Sequence, residues 1–461
     1  MSASGEQLDR AGLFSTLRVR CVRYFAKDGI AQALARGAVW SIAINVGGYG
    51  LSLIVQIVLA RSIGHVQYGY YAYALAWMNT ALLFGKFELD TCALRFVGLY
   101  DGAGQQSLLR GFLRRVDRLV RLLSFGVSAI GAITVWIIAR HLGSILTTSF
   151  LAACALLPVT ALVEFRARCV QGFKLVAQSL TPSLVLRPAL FGLSVAVATF
   201  AFHVRLSAPW AISLNLGAAS IALLVITRSL RAATPIDVRN AAPSYETKQW
   251  LHTAVGLLVI SAAQLVLGTQ ADVVVVGSMI GAPAAGLYQV ASQLASLITF
   301  GMTALIYLAL AMISDLHARG RRAELQHLVT LLSRAGFVIS PVAVVLLTGM
   351  GTMILGWFGP SFPAAYPVLL VLSGASFASA TVGILAGFLL SLTGHQRQAA
   401  TVVVGSAILN LTISLIATHF FGAIGTASAT LATTVLRSAV LAVYCWKLLG
   451  VRITPFGARV A

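Results

Sequence analysis

Twelve stretches of mainly apolar residues, each about as long as a membrane crossing, run through this 461-residue chain. They lie near 37–60, 69–87, 119–139, 144–163, 175–202, 207–227, 251–277, 287–313, 326–349, 366–391, 399–418 and 423–446. Bilayer hydrocarbon is ~30 Å thick and a helix rises ~1.5 Å per residue, so one crossing takes about 20 apolar residues. Little chain remains between the stretches for a water-soluble core. Only 10% of residues are charged and the mean hydropathy is +0.89, whereas soluble domains carry about 25% charged residues. The expected fold class is an all-α integral membrane protein of about twelve transmembrane helices.

The remaining charge is lopsided, 33 Lys and Arg against 13 Asp and Glu, a formal +20. Such a balance suits nucleic acid, anionic lipid or membrane topology. When the flanks of the twelve stretches are assigned alternately, 27 basic residues fall on the side of the amino terminus. Arg61, Arg140 and Arg205 fall on the other, and Arg187, Arg334 and Arg437 lie within stretches. Basic residues near span ends resist translocation, so the distribution specifies orientation, with both termini cytoplasmic, and a nucleic-acid partner loses its support. The first 36 residues lack an uninterrupted apolar core of the kind a signal peptide has. Two stretches on this side read as amphipathic surface helices: Phe14, Leu17, Cys21 and Phe25 oppose Arg20, Arg23 and Lys27, and Leu109, Phe112, Leu113 and Val116 oppose Arg110, Arg114, Arg118 and Arg121. Each is either an anchor on anionic lipid headgroups or a solvated basic loop that reinforces topology.

An internal repeat organises the chain. Ile63-Gly64, Gly69 and Tyr71 recur as Ile280-Gly281, Gly286 and Tyr288, at a constant offset of 217. Six spans separate the copies, so both halves enter the membrane in the same sense, the arrangement of parallel transporter repeats with a site between two six-helix bundles. The expected divisions are a basic segment 1–36, bundles 37–227 and 251–446, a cytoplasmic linker 228–250 and a tail 447–461.

Enzyme chemistry finds little footing. Cys21, Cys92, Cys154, Cys169 and Cys445 have no metal-ligand or CxxC spacing, the histidines form no HExxH, and no GxxxxGK[ST] loop is present. His65, His141, His203 and His419 sit singly in short outer loops. Glu88 and Asp90 resemble a paired-carboxylate metal site but have no α/β domain beside them, and a local ion-pair cluster with Lys86 and Arg95 is the expected role. The longest outer connection, 350–365, carries Trp357, Phe358 and Phe362, with Tyr366 following, and reads as an interfacial aromatic belt.

Polar residues inside spans are the informative ones. Arg187 lies about 12 residues into the fifth span, ~18 Å deep, where such a group normally faces a bundle interior or a watery cavity. Pro182 and Pro188 flank it and disrupt the helix, which suits an anion site. Arg334 and Arg437 lie nearer the cytoplasm, within snorkelling reach of the interface, and are further anion-site candidates. Asp272, with Gln264 and Gln270 nearby, either binds a coupling H⁺ or Na⁺ or pairs with Arg61 or another span-end group. Asn410, Gln56, Gln289 and Gln293 are expected to bond between helices. No other cofactor is expected.

The run Leu59-Ala60-Arg61-Ser62-Ile63-Gly64, then Tyr68-Gly69-Tyr70-Tyr71, resembles the first loop of the Wzx-type flippases. These form the polysaccharide-export branch of the multidrug/oligosaccharidyl-lipid/polysaccharide (MOP) exporter superfamily. Gly394-His395-Gln396-Arg397 followed by Asn410, Phe421-Gly422, Ile424-Gly425 and Ala427 is similar to that superfamily's eleventh-span signature. The chain departs at His65, where relatives carry proline, and lacks a basic residue immediately before Asp272. The resemblance implies a MATE/MOP-like flippase in the bacterial cytoplasmic membrane. Its implied cargo is undecaprenyl-pyrophosphate-linked oligosaccharide for O-antigen, capsule or exopolysaccharide, driven by an ion gradient. Membrane lipids, a polysaccharide polymerase and chain-length machinery are the implied partners. Two rivals are an ion-coupled drug antiporter of the same superfamily, which several mid-span carboxylates would favour, and a membrane-embedded glycosyltransferase or polymerase, which a large outer loop would favour.

Overall fold

The computed structural model describes residues 29–202 and 206–454. The amphipathic pattern at 14–27, Cys21, His203, Arg205 and Arg459 lie outside the described residues. In chain order the helices are α1 (Gly29–Lys86), α2 (Leu89–Gly102), α3 (Gln106–Leu142), α4 (Ser144–Gly172) and α5 (Val176–Ala201). After these come α6 (Ala208–Ala233), α7 (Ile236–Asn240), α8 (Thr247–Val266), α9 (Thr269–Met279) and α10 (Ala282–Ala318). The last four are α11 (Arg322–Gly349), α12 (Gly351–Gly356), α13 (Phe362–Leu392) and α14 (Gln396–Leu449).

Among the described residues ten helices are long and apolar enough to cross a membrane. Two exceed one crossing. The apolar part of α1, Ala43–Lys86, has 44 residues and α14 has 54, about 66 and 81 Å at the helical rise. Each contains a glycine outside helical geometry, Gly64 (φ 76°, ψ 167°) and Gly422 (φ 61°, ψ −145°). Both fall in the gaps expected between apolar stretches, so no predicted stretch lacks a helix. Gly281, the repeat partner of Gly64, also has a positive φ of 131°. A side chain at either position meets the steric penalty of left-handed backbone, which accounts for one glycine of the repeat. The other pair, Gly69 and Gly286, lies at a contact between the two halves of the chain: a Cβ on Gly286 would stand 2.6 Å from the Gly69 Cα. Small residues permit such close helix approach, the chief source of packing energy where lipid offers no hydrophobic gain.

Two sequence expectations need correction. The basic stretch 109–121 is not a separate surface helix but part of the amino-terminal turns of α3, which runs unbroken from Gln106 to Leu142. No proline interrupts it. Its apolar face packs on protein instead of lipid: Leu109, Phe112 and Val116 are buried, and the Phe112 ring meets Trp250 edge-on at 5.1 Å. The outer connection 350–365 is not an aromatic belt either. Trp357 is exposed, but Phe358 and Phe362 are fully buried, with Phe362 5.7 Å from the Tyr68 ring of the other half. Burial of about 1.5–3 kcal/mol per such side chain outweighs an interfacial position. This aromatic wedge and Gly69–Gly286 tie the halves together at one end. Further along, Tyr73 bonds Ser278 at 2.9 Å and Tyr49 meets Phe300 at 5.0 Å.

Candidate functional site

The Pro182–Leu186 turn of α5 is π-helical, and regular helix resumes at Arg187. This is the disruption the two prolines predict: a missing N–H and a ring clash are absorbed by widening one turn. The half-buried Arg187 donates from Nε to the Asn215 Oδ1 of α6 at 3.0 Å. Tyr71, the tyrosine of the first repeat copy, sits beside Arg187, Gln56 and Asn215, its ring stacked on Phe191 at 6.3 Å. Gln56 also accepts from the Tyr68 hydroxyl at 3.0 Å. Among the described residues no carboxylate lies within ion-pair distance of Arg187. The guanidinium is held inside a span by a neutral amide instead of a contact ion pair.

The second copy's tyrosine serves a different centre. Tyr288 donates its hydroxyl to Asp272 Oδ2 at 2.8 Å, and Thr430 of α14 donates to the same oxygen at 3.0 Å. Asn410 joins through Thr433 at 2.8 Å and Thr430 at 3.5 Å. Asp272 makes no ion pair among the described residues, so the pairing with Arg61 is not formed; both of its partners are hydroxyls. Asp272, Thr430 and Arg437 line one cavity of about 160 Å³ with Ser296, Ser376 and Ser379. A carboxylate, hydroxyls and a guanidinium therefore face a small polar space, chemistry suited to a proton or a small cation with its counter-charge in reserve. Arg334 is exposed on α11. Arg187, Arg334 and Arg437 are thus not gathered into one site: the first belongs to the amino-terminal half, and the second does not line the Arg437 cavity.

At the end closed by the aromatic wedge, Arg61, Gly64 and His65 share a cavity of about 610 Å³ with the 356–362 connection. Gly425 packs so closely on α14 that a Cβ would overlap the Ala417 carbonyl. At the other end Lys86 pairs with Asp90 at 2.8 Å and Glu164 at 3.1 Å, and Glu88 accepts from Thr91 at 2.6 Å. This is the local cluster expected of Glu88 and Asp90, except that Glu164 replaces Arg95, which lies over the Phe96 ring at 5.8 Å. Burial, with Asp90 and then Glu88 nearby, pushes the Cys92 thiol up to about 12, so this cysteine is no nucleophile. Among the described residues no group of three or more His, Cys, Asp or Glu could hold a metal ion. Sequence reasoning missed Asn215 and Thr430. Asn215 was findable as an amide in an apolar span; Thr430 was not, since threonines are common in such helices.

The family described as polysaccharide biosynthesis protein matches residues 34–317. No curated protein sequence matches the chain at a significant level. Among solved structures, an inward-facing multidrug-resistance MATE transporter of the MOP superfamily is similar with a TM-score of 0.69 at 11% identity, covering 90% of this chain and 98% of its own. A MOP-superfamily transporter from Pyrococcus furiosus, whose binding pocket is described as reversed in polarity, gives 0.61 at 11%, over 91% and 95%. A Vibrio cholerae MATE transporter in its bent form gives 0.55 at 14%, over 91% and 98%. At such identities the likeness is one of fold. The chain is a multi-pass membrane protein with the fold of MATE transporters, and because the family match extends over more than half of its length it belongs to the polysaccharide biosynthesis protein family.

Proposed function

We propose that this protein flips undecaprenyl-pyrophosphate-linked oligosaccharide across the bacterial cytoplasmic membrane for O-antigen, capsule or exopolysaccharide assembly. Alternating access between two parallel six-helix bundles would move the sugar while the lipid tail stays in the bilayer. The observation that carries the reading is Arg187, an intramembrane guanidinium oriented by Asn215 with no carboxylate partner among the described residues. Its positive charge suits a pyrophosphate and repels a cationic drug, which disfavours the antiporter alternative. The polysaccharide biosynthesis family match supports the same substrate class.

Twelve crossings follow from counting α1 and α14 twice, at Gly64 and Gly422, and treating α8 with α9 as one. With the basic clusters cytoplasmic, both termini lie inside and the bundles divide near 228–250. The Gly69–Gly286 contact supports the parallel repeat, because equivalent residues meet at a two-fold axis and nowhere else. Asp272, with Tyr288 and Thr430, is the candidate carboxylate for coupling to H⁺ or Na⁺.

The test is complementation of a deletion strain. Arg187→Ala should abolish surface polysaccharide with the protein still in the membrane, and Arg187→Lys should do less damage. Normal polymer from the alanine variant would sink the reading. Reporter fusions after Ala233 and after Arg319 should both report cytoplasm; an external signal from either breaks the topology.

A further inference from the structure

A cavity of about 700 Å³ lies away from both sites above, at the basic end of the amino-terminal half. Eight arginines line it, with Asp117 the one carboxylate among its lining residues. Five come from the first turns of α3, one from the end of α4, one from the end of α6 and one from α7. The geometry explains how they converge. The helices α3 and α6 both pack on α4, which leaves Arg166 of α4 on the floor between them. Asp117 holds Arg166 at 3.0 Å and Arg121 at 2.9 Å, and Thr227 takes a further Arg166 bond at 2.6 Å. The segment after α6 closes one wall: Ser244 donates its N–H to the Ser107 carbonyl at 2.9 Å, and Arg110 donates to the Ala241 carbonyl. Arg239 donates to the Thr234 carbonyl at 3.1 Å and to the Arg231 carbonyl, and Arg115 lies over the Tyr245 ring at 6.0 Å, which leaves three guanidinium groups. Arg114, Arg118 and Arg231 make no side-chain hydrogen bond or ion pair among the described residues.

Solvating a basic loop does not require this arrangement. Repulsion drives exposed like charges apart, yet here four helices bring theirs to the rim of one concavity, of a volume usual for a ligand site, and the local carboxylate is already engaged. An arginine fork matches the oxygens of a phosphate. The cavity also opens at the edge of the apolar spans: Leu122 and Phe125 on α3 and Leu224 on α6 are exposed within two turns of the arginines. A headgroup in the cavity would leave its tail on lipid-facing side chains.

We propose that this cavity binds the phosphate or pyrophosphate group of an anionic lipid at the cytoplasmic interface. The site does not rest on the flipping reading. Normal surface polysaccharide from Arg187→Ala cells would remove that reading and leave this one standing.

The test uses the full-length protein in a neutral maltoside detergent, with fluorescent phosphatidylglycerol binding followed by anisotropy. Saturable binding is expected, weakening with added salt and competed by sodium pyrophosphate and by farnesyl pyrophosphate. The triple variant Arg114→Gln, Arg118→Gln, Arg231→Gln should lose about tenfold or more in affinity at an unchanged unfolding temperature, because these side chains hold nothing in the fold. A control triple with the same charge loss, Arg319→Gln, Arg321→Gln, Arg322→Gln, should bind as the unmodified protein does. Equal affinity of the first triple and the unmodified protein, or equal loss in both triples, overturns the site. If the first triple does not purify, the single variants Arg114→Gln and Arg231→Gln are measured against the same criteria. Better competition by farnesyl pyrophosphate than by sodium pyrophosphate supports a lipid source. Equal competition retains phosphate recognition but overturns the lipid assignment in favour of a free phosphate.

Discussion

Adding one methyl group at Gly286 should force the two halves of the protein apart. The Cβ would stand 2.6 Å from the Gly69 Cα and 2.9 Å from its N. Ordinary carbon contacts lie at about 3.5–4.0 Å, so the helices must separate by roughly 1 Å. Both neighbouring atoms are backbone, so no side-chain rotation relieves the overlap, and overpacking of this kind costs about 1–3 kcal/mol. Against it stands the gain of about 1 kcal/mol that Gly→Ala brings in a helix. The net expectation is a destabilisation of about 1–2 kcal/mol, from the upper part of the overpacking range. Gly217 supplies the opposite case: it is exposed on α6, with nothing within 4 Å of a Cβ, so Gly217→Ala keeps the propensity gain without the clash. Thermal unfolding in detergent should therefore move down for Gly286→Ala and level or up for Gly217→Ala. The Gly69→Ala substitution pushes the same two helices apart, through Ala282 and Pro283. The double variant should accordingly cost less than the sum of the singles, as coupled neighbours do. If Gly286→Ala unfolds no earlier than Gly217→Ala, the close approach is not what joins the halves and the argument fails.

Removing the aromatic wedge with Phe362→Ala should destabilise by about 3–5 kcal/mol, read as a lower unfolding temperature, whereas Trp357→Ala on the exposed side should change it little. Asp272→Asn keeps an acceptor for Tyr288 and Thr430, so it should fold but lose polysaccharide export; export that survives would end its candidacy as the coupling carboxylate. Asp272→Leu leaves two hydroxyls without an acceptor, at about 1–3 kcal/mol each, and should unfold earlier than Asp272→Asn. A variant retaining Cys92 as its single cysteine should resist iodoacetamide at pH 8 while folded, since a thiol pushed up to about 12 has almost no thiolate there, and should label on denaturation.

Some of the architecture was legible because hydropathy is a local property. The apolar stretches were found in helices, that at 251–277 divided between α8 and α9, and the glycine punctuation near 64 and 281 coincided with positive φ. The proline pair around Arg187 likewise announced the disturbed turn at Pro182–Leu186. The failures share a cause. The basic stretch at 109–121 and the aromatic stretch at 350–365 carry patterns that lipid headgroups or protein can satisfy equally well. In both cases the apolar side chains turned to protein, Phe112 to Trp250 and Phe362 to Tyr68, partners more than a hundred residues away, while the arginines of 109–121 line an open cavity.

By itself, then, the sequence determined that this chain enters a membrane and which segments are long and apolar enough to cross it. Solvent transfer acts on each segment separately, so composition and length suffice for those conclusions. Tertiary structure decided the rest. Arg187 meets Asn215 across 28 residues, Asp272 meets Thr430 across 158, and one cavity collects arginines from four helices. Those are facts of packing geometry, where a polar group inside a bundle takes whichever partner the neighbouring helix presents, and nothing in the residue order fixes which face that will be.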